Sequence, residues 1–176
     1  EKTKNSLLKI KEYLTTLFPE ITFTETKITE KDIFNCMDLY GDFEIGRLGA
    51  DRALKYLFAT QQAKKLKENI ITFSFGTAVT CEGVSSSLSI LENFIFPGIQ
   101  MALSAINHYT ALVPLFQANS EMFTPKDKHW NQEIYVQRGV FLSTAASVIS
   151  TIKMHEPCRC YFSGGSAEAI SKIINE

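Results

Sequence analysis

From Asn69 onward the chain runs three strand-like segments in succession, punctuated by glycine and stopped by Pro97-Gly98. Residues 69–75, Asn-Ile-Ile-Thr-Phe-Ser-Phe, form a β-branched and aromatic run of the kind that fits a pleated, half-buried surface. Gly76 breaks it and Val79 to Val84 resume the alternation, so Gly76-Thr77-Ala78 is expected as the turn of a hairpin. A third strand is expected over 86–96. Pro97-Gly98 then opens an apolar helix reaching about Tyr109, where a first-turn proline is tolerated because its missing N–H has no intrahelical partner. Residues 117–130, polar and holding Pro125, read as a loop. A second long helix is expected from Asn131 to Lys153, its small residues Gly139, Ser143, Ala146 and Ser147 packed closely against a neighbour. A strand over 158–163 ends at Gly164-Gly165, and a helix follows from Ser166 to Ile174.

Upstream, Leu7, Leu8, Ile10, Leu14, Leu17 and Phe18 recur at helical spacing, which predicts a helix over 4–18 stopped by Pro19. Residues 20–28 alternate as a strand, and a polar stretch runs to about Gly49. Ala50 to Lys67 read as a helix with Ala53, Leu54, Leu57, Phe58 and Ala63 on one side. The lysines 64, 65 and 67 fit its solvated last turn, where cations suit the helix dipole. The opening Glu1-Lys2-Thr3-Lys4-Asn5 reads as a chain already in progress. The element order predicts an α/β layered architecture, a mixed sheet with helices on both faces.

Charge and composition narrow the partners. A net charge of −1 offers no basic excess for a phosphate backbone, so nucleic acid is not an expected partner. No apolar run approaches the roughly 18 residues a membrane helix needs, so no membrane is expected. The four cysteines include no C-x-x-C pair and read as reduced thiols of a cytosolic protein. The run His155-Glu156-Pro157-Cys158-Arg159-Cys160 points two thiols to one side of a strand. Structural zinc wants four ligands from two spaced pairs, so the simpler reading is a strand entry with one buried cysteine face. His108, His129 and His155 are scattered and read as surface or helix-end residues, and Trp130 reads as a loop aromatic stapled to the core.

Three short segments carry candidate chemistry. In Ser74-Phe75-Gly76-Thr77-Ala78-Val79-Thr80, a glycine turn lets backbone approach a phosphate while Thr77 and Thr80 add hydroxyls. Taken alone, the same residues read first as an ordinary hairpin with threonines chosen for strand propensity. In Ser163-Gly164-Gly165-Ser166-Ala167 a strand passes through glycines into a helix N-terminus, a natural anion site or simply a tight connection. In Gly49-Ala50-Asp51-Arg52 an aspartate opens a helix, either as a first-turn charge or as a base for a substrate hydroxyl beside an anion-binding arginine.

The order of these segments resembles the type III pantothenate kinase family. The resemblance rests first on Gly49-Ala50-Asp51-Arg52, then on Phe75-Gly76-Thr77-Ala78 and the late Gly164-Gly165. It extends through Phe96-Pro97-Gly98-Ile99, Thr110-Ala111-Leu112-Val113-Pro114 and Gly139, covering roughly residues 45 to 170. It implies the ribonuclease-H-like, actin-like ATPase superfold. Residues 1–48 would be the end of an N-terminal lobe and 49–176 the C-terminal lobe without its last strand and helix. It implies ATP-dependent phosphorylation of pantothenate in coenzyme A synthesis by a cytoplasmic homodimer, with Mg2+ and a monovalent cation, K+ or NH4+. Asp51 falls at the proton acceptor for the pantothenate hydroxyl. Gly49, Ala50, Asp51 and Arg52 fall on the substrate segment, with Gln132 aligned to a substrate-contacting threonine. Gly76, Thr77, Thr80, Gly164 and Gly165 fall on the nucleotide side.

Departures from the family's pattern accompany the match. Ser74 stands where the family has an aspartate that ligates the monovalent cation, and it lacks the charge a cation site favours. Glu82 replaces a second aspartate, Glu92-Asn93 replaces a Gly-Gly pair, and the family's N-terminal Asp-x-Gly-Asn-Thr loop is not among these residues. These departures motivate the alternative of a catalytically impaired homologue that binds nucleotide or a regulatory partner. A different sugar-kinase-like or acetate-kinase-like phosphotransferase is the third reading, for which Gly-Ala-Asp-Arg is not expected.

Overall fold

The structure is a computed structural model that describes residues 12, 15–16, 48–122 and 131–175. Glu12, Thr15 and Thr16 are helical, within the helix expected over 4–18; the strand expected over 20–28, His129 and Trp130 lie outside the described residues. The described elements are α1 (Ala50–Leu66), β1 (Asn69–Phe75), β2 (Ala78–Val84), β3 (Ile90–Pro97), α2 (Ile99–Tyr109), a 3-10 turn (Ser120–Met122), α3 (Gln132–Met154), β4 (Cys158–Ser163) and α4 (Ala167–Asn175).

The strands form one sheet in the order β3-β2-β1-β4. β1 pairs antiparallel with β2, and β2 with β3, as a glycine-turned hairpin and its extension require. β4 returns after two helices to lie parallel to β1, with Asn69 opposite Cys158 and Ser74 opposite Ser163. A parallel neighbour needs such a crossover, because a tight turn can only reverse the chain.

Alternation along the strands separates two faces. Ile71, Phe73, Phe75, Val79 and Cys81 turn to one side and pack with Ile99, Leu103, Val140, Phe141, Val148 and Ile170 of α2, α3 and α4. Phe162 stands edge-on to both Phe73 and Phe75, with ring centroids 5.5 Å apart in each pair. Ile70 and Val84 turn to the other side and meet Tyr56, Ala59 and Ala63 of α1. The mixed sheet with helices on both faces is the architecture expected.

Several local expectations shift. α1 stops at Leu66, because Lys67 caps it in the left-handed conformation at φ 59° and donates its N–H to Ala63 O. Its buried stripe is Ala53, Tyr56, Ala59, Thr60 and Ala63; Leu54 and Phe58, expected on that side, are 48% and 39% exposed. Small residues let the helix lie close to the sheet, so alanine rather than leucine marks the inner face. Residues 86–89 belong to the β2–β3 connection, where Ser85 N donates to Ser89 O and Leu88 N to Ser85 O. Pro97 ends β3 instead of opening α2, and Gly98 is the N-cap. Gly139, Ser143, Ala146 and Ser147 are exposed. Of these, Gly139, Ser143 and Ser147 line an open groove beside Phe96, Ala102 and Ile106, where close packing was expected.

Two glycines are set by close approach. A Cβ on Gly98 would lie 2.1 Å from Gly76 O, and one on Gly164 would lie 2.5 Å from Phe75 O. Gly164 is also at φ +97°, a region L-residues rarely adopt. Gly164→Ala is therefore expected to lower unfolding free energy by roughly 1–3 kcal/mol. Urea denaturation followed by circular dichroism measures it, and an unchanged midpoint would refute the close approach.

Candidate functional site

Two of the candidate segments, and the Pro97-Gly98 entry to α2, meet at one end of the sheet. The β1–β2 turn is closed by Gly76 N donating to Ala78 O at 3.1 Å. Gly98 N donates to Thr77 O at 2.9 Å, which seats the start of α2 on that turn. Ser166 N donates to Phe75 O at 3.3 Å, which brings the start of α4 to the same backbone. Gly76, Thr77, Gly164 and Gly165 are all exposed there, and a Cβ on Gly165 would meet nothing within 4 Å. Two helix N-termini flanking an exposed turn put first-turn amides and positive helix ends on one surface, a fit for phosphate oxygens. Glu168, the acidic residue of the first turn of α4, has its carboxylate bonded to Lys172 at 2.6 Å.

The second part of the site is the α1 side of the sheet. Gly49 is the N-cap of α1 and makes no side-chain cap. Ala50 begins the helix, and Asp51 lies exposed in its first turn, where the helix dipole favours a carboxylate. Arg52, half-buried, points onto the sheet. Its Nε donates to Glu82 Oε1 at 2.6 Å, and its Nη2 reaches Asn93 Oδ1 at 2.6 Å and the carbonyls of Cys81 and Phe94, each at 3.2 Å. Glu82 is fully buried, and Thr72 Oγ1 donates toward its Oε2 at 3.3 Å. Tyr56, with its hydroxyl on Glu92 O at 2.5 Å, completes the layer; burial first, then the nearby Glu82 charge, pushes its pKa up. The guanidinium expected to hold a substrate anion is thus spent largely on the sheet. The glutamate and asparagine noted as departures are its partners.

A row of hydroxyls crosses three strands on this face. Ser74 lies opposite Thr80 in one register and opposite Ser163 in the other. Thr80 Oγ1 accepts from Lys55 Nζ at 2.9 Å and donates toward Glu82 Oε2 at 3.4 Å. Lys55 was not singled out in the sequence, although it stands one turn after Asp51, a spacing that puts both on one helix face. Ser74 itself offers a neutral oxygen, and its partner across the strands, Thr80, is already bonded to the Lys55 ammonium. Gln132 sits in the other helical layer, opening α3 with its Nε2 donating to Leu112 O at 3.0 Å.

The cysteine–histidine run does not gather into a cluster. Cys158 and Cys160 place their sulfurs 3.8 Å apart, while His155 Nε2 lies 2.9 Å from Glu92 Oε1. Among the described residues no three His, Cys, Asp or Glu side chains are placed to hold a metal ion. Burial pushes the Cys160 thiol up to about 12, and burial likewise raises Cys158.

Two expectations follow. Glu82→Gln leaves Arg52 buried without its counter-charge, so it should cost about 3–5 kcal/mol of stability, read as a lower urea midpoint. Cys160 stays a neutral thiol in the folded chain until about pH 12. The unfolded thiol ionises near 8.5, so alkylation by iodoacetamide at pH 8.5 should be at least about tenfold slower in the native protein than in urea. Equal rates would contradict the burial.

A family model described as type III pantothenate kinase matches residues 21–154. A type III pantothenate kinase of Pseudomonas fluorescens is 29% identical over 143 residues, covering 78% of this chain and 55% of that protein. One from a Sulfurihydrogenibium species is 25% identical over 179 residues, covering 93% of this chain and 68% of that protein. The chain thus spans little more than half the length of the first of these relatives. A solved structure from Campylobacter jejuni, described as a Baf family transcriptional activator, superposes with a TM-score of 0.54 at 20% identity, over 83% of this chain and 61% of that one. That likeness is one of fold. With its mixed sheet and helices on both faces, in the actin-like ATPase superfold, the chain belongs to the type III pantothenate kinase family.

Proposed function

We propose that the protein phosphorylates pantothenate with ATP, and that this chain supplies the acceptor-side base and part of the nucleotide site. The observation that carries the reading is the convergence of the Gly76–Thr77 turn with the starts of α2 and α4. Family membership adds the substrate, and the order of the glycine turns supports it. On this reading residues 49–176 are the larger part of one lobe and residues 1–48 belong to the other, with the reaction between them in a cytoplasmic homodimer. No helix of the described residues is long and apolar enough to cross a membrane.

Phosphoryl transfer asks for positioning and charge neutralisation more than for covalent chemistry. The exposed Gly76–Thr77 turn and Gly164–Gly165, with the positive ends of α2 and α4 behind them, hold nucleotide phosphates; Thr77 adds a hydroxyl and Gly165 leaves room for close approach. Asp51 accepts the proton of the pantothenate hydroxyl as its oxygen bonds to the γ-phosphorus and the bond from that phosphorus to the β–γ bridging oxygen breaks, releasing ADP. Arg52 acts here mainly by fixing the first turn of α1, and with it the direction of Asp51, through its four bonds to the sheet. Gln132, in the opposite helical layer and bonded to Leu112 O, is not brought to Asp51 within this chain. A magnesium ion arriving with the nucleotide would supply charge neutralisation to its phosphates; among the described residues no cluster of carboxylates is placed to hold it, so its ligands would come chiefly from the nucleotide and water.

Assay of the full-length gene product with pantothenate and Mg-ATP tests the reading. Phosphopantothenate formation is expected, and Asp51→Asn should lower kcat by about 10²–10⁴ while nucleotide binding stays unchanged. Folded protein that binds nucleotide yet forms no product would favour the catalytically impaired homologue, a reading for which the neutral Ser74 is the specific observation.

A further inference from the structure

On the proposed reading of this site, we infer that Lys55 is its resident monovalent cation: the ammonium occupies the place beside residue 74, and nucleotide binding by this chain is independent of potassium. The geometry is built from three elements. Lys55 projects from α1 onto the sheet, and its Nζ is fixed 2.9 Å from Thr80 Oγ1. Thr80 is the cross-strand partner of Ser74, so the ammonium stands against the strand pair that leads directly into the Gly76–Thr77 turn.

The hydrogen bonding around Thr80 orients this contact. A hydroxyl has one proton to give, and Thr80 directs it toward Glu82 Oε2 at 3.4 Å. Its lone pairs are left for Lys55, which can only donate. Glu82 is itself neutralised by Arg52 at 2.6 Å. Among the described residues no carboxylate lies within 4 Å of Lys55 Nζ, so its charge is not cancelled by an ion pair. An ammonium held by a neutral hydroxyl on the strand pair that leads into the Gly76–Thr77 turn adds positive charge toward the place where phosphates are to bind. Lysine serves such sites as a point charge.

The same geometry argues against a bound alkali ion. Such an ion needs several oxygen ligands, preferably with a negative one. Here the row on this face is Ser163, Ser74 and Thr80, all neutral, and Thr80 is already taken by a cation. A second positive charge at this spot meets repulsion from Lys55, and the carboxylate beside Thr80, Glu82, is already paired with Arg52. The serine that departs from the family's aspartate and the lysine one helical turn after Asp51 are thus one change: a ligand for an exchangeable cation is lost and a tethered cation is gained.

The test is isothermal titration of the full-length gene product with a non-hydrolysable ATP analogue and Mg2+. It is run in potassium chloride and in tetramethylammonium chloride at equal ionic strength. The parent is expected to bind equally, within about twofold, in both salts, since tetramethylammonium is too bulky to fill a potassium site. Lys55→Met, checked for native circular dichroism, should bind about tenfold more weakly or worse in tetramethylammonium. The double variant Lys55→Met with Ser74→Asp should regain affinity in potassium alone. Parent affinity that rises about tenfold with potassium overturns the inference without touching the proposed function, and needs no variant to fold. Lys55→Met binding as tightly as the parent in both salts also overturns it. No binding of the analogue by the parent in either salt overturns the proposed function, and this inference with it.

Discussion

The α1 helix is joined to the sheet by an ion pair buried from water, Arg52 to Glu82 at 2.6 Å, and most of what is particular to this chain depends on it. A carboxylate with no solvent exposure is tolerable only when its charge and lone pairs are answered. Here Arg52 answers the charge, while Thr72 and Thr80 answer the remaining lone pairs. The guanidinium in turn reaches β3 through Asn93 and the Phe94 carbonyl, so one side chain ties α1 to two strands. Such a network is demanding in geometry, and that demand fixes the direction in which the first turn of α1 points.

Asp51 inherits its position from this clamp. It is adjacent in sequence to the residue most tightly held, yet its own carboxylate stays exposed in the first turn. On the proposed reading Asp51 is a proton acceptor, which has to be accessible and still precisely aimed, and a buried neighbour supplies the aim at no loss of exposure. On the other side of the hairpin the glycine contacts do the corresponding work. Gly98 and Gly164 let two helix starts close onto the Phe75–Thr77 backbone, which no residue with a Cβ could permit.

The changes at Ser74, Glu82 and Asn93 gain coherence from this view. Read singly along the chain, they look like losses at chemical positions. In the structure Glu82 and Asn93 are both ligands of Arg52, and Ser74 faces the threonine that holds Lys55. Lys55 carried no signal of its own, because a lysine on a helix is ordinarily a solvated one. Its i+4 spacing from Asp51 was visible, but which side of α1 met the sheet was not.

That limit marks what the sequence by itself determined. The strands from Asn69 to Pro97, the Gly76–Thr77 turn, both long helices and the Gly-Gly entry to α4 were legible, because β-branched runs, helical spacing and glycine breaks are local signals. The Gly76 turn and the Gly164-Gly165 entry were legible as candidates. Their convergence was not, since it depends on β4 crossing over to pair parallel with β1. Leucine and phenylalanine suggested the wrong inner face for α1, because hydrophobic size does not report how closely a helix lies on a sheet. The partners of Arg52 and Lys55 lie 25 to 42 residues away along the chain, and only the folded sheet brings them within hydrogen-bonding distance.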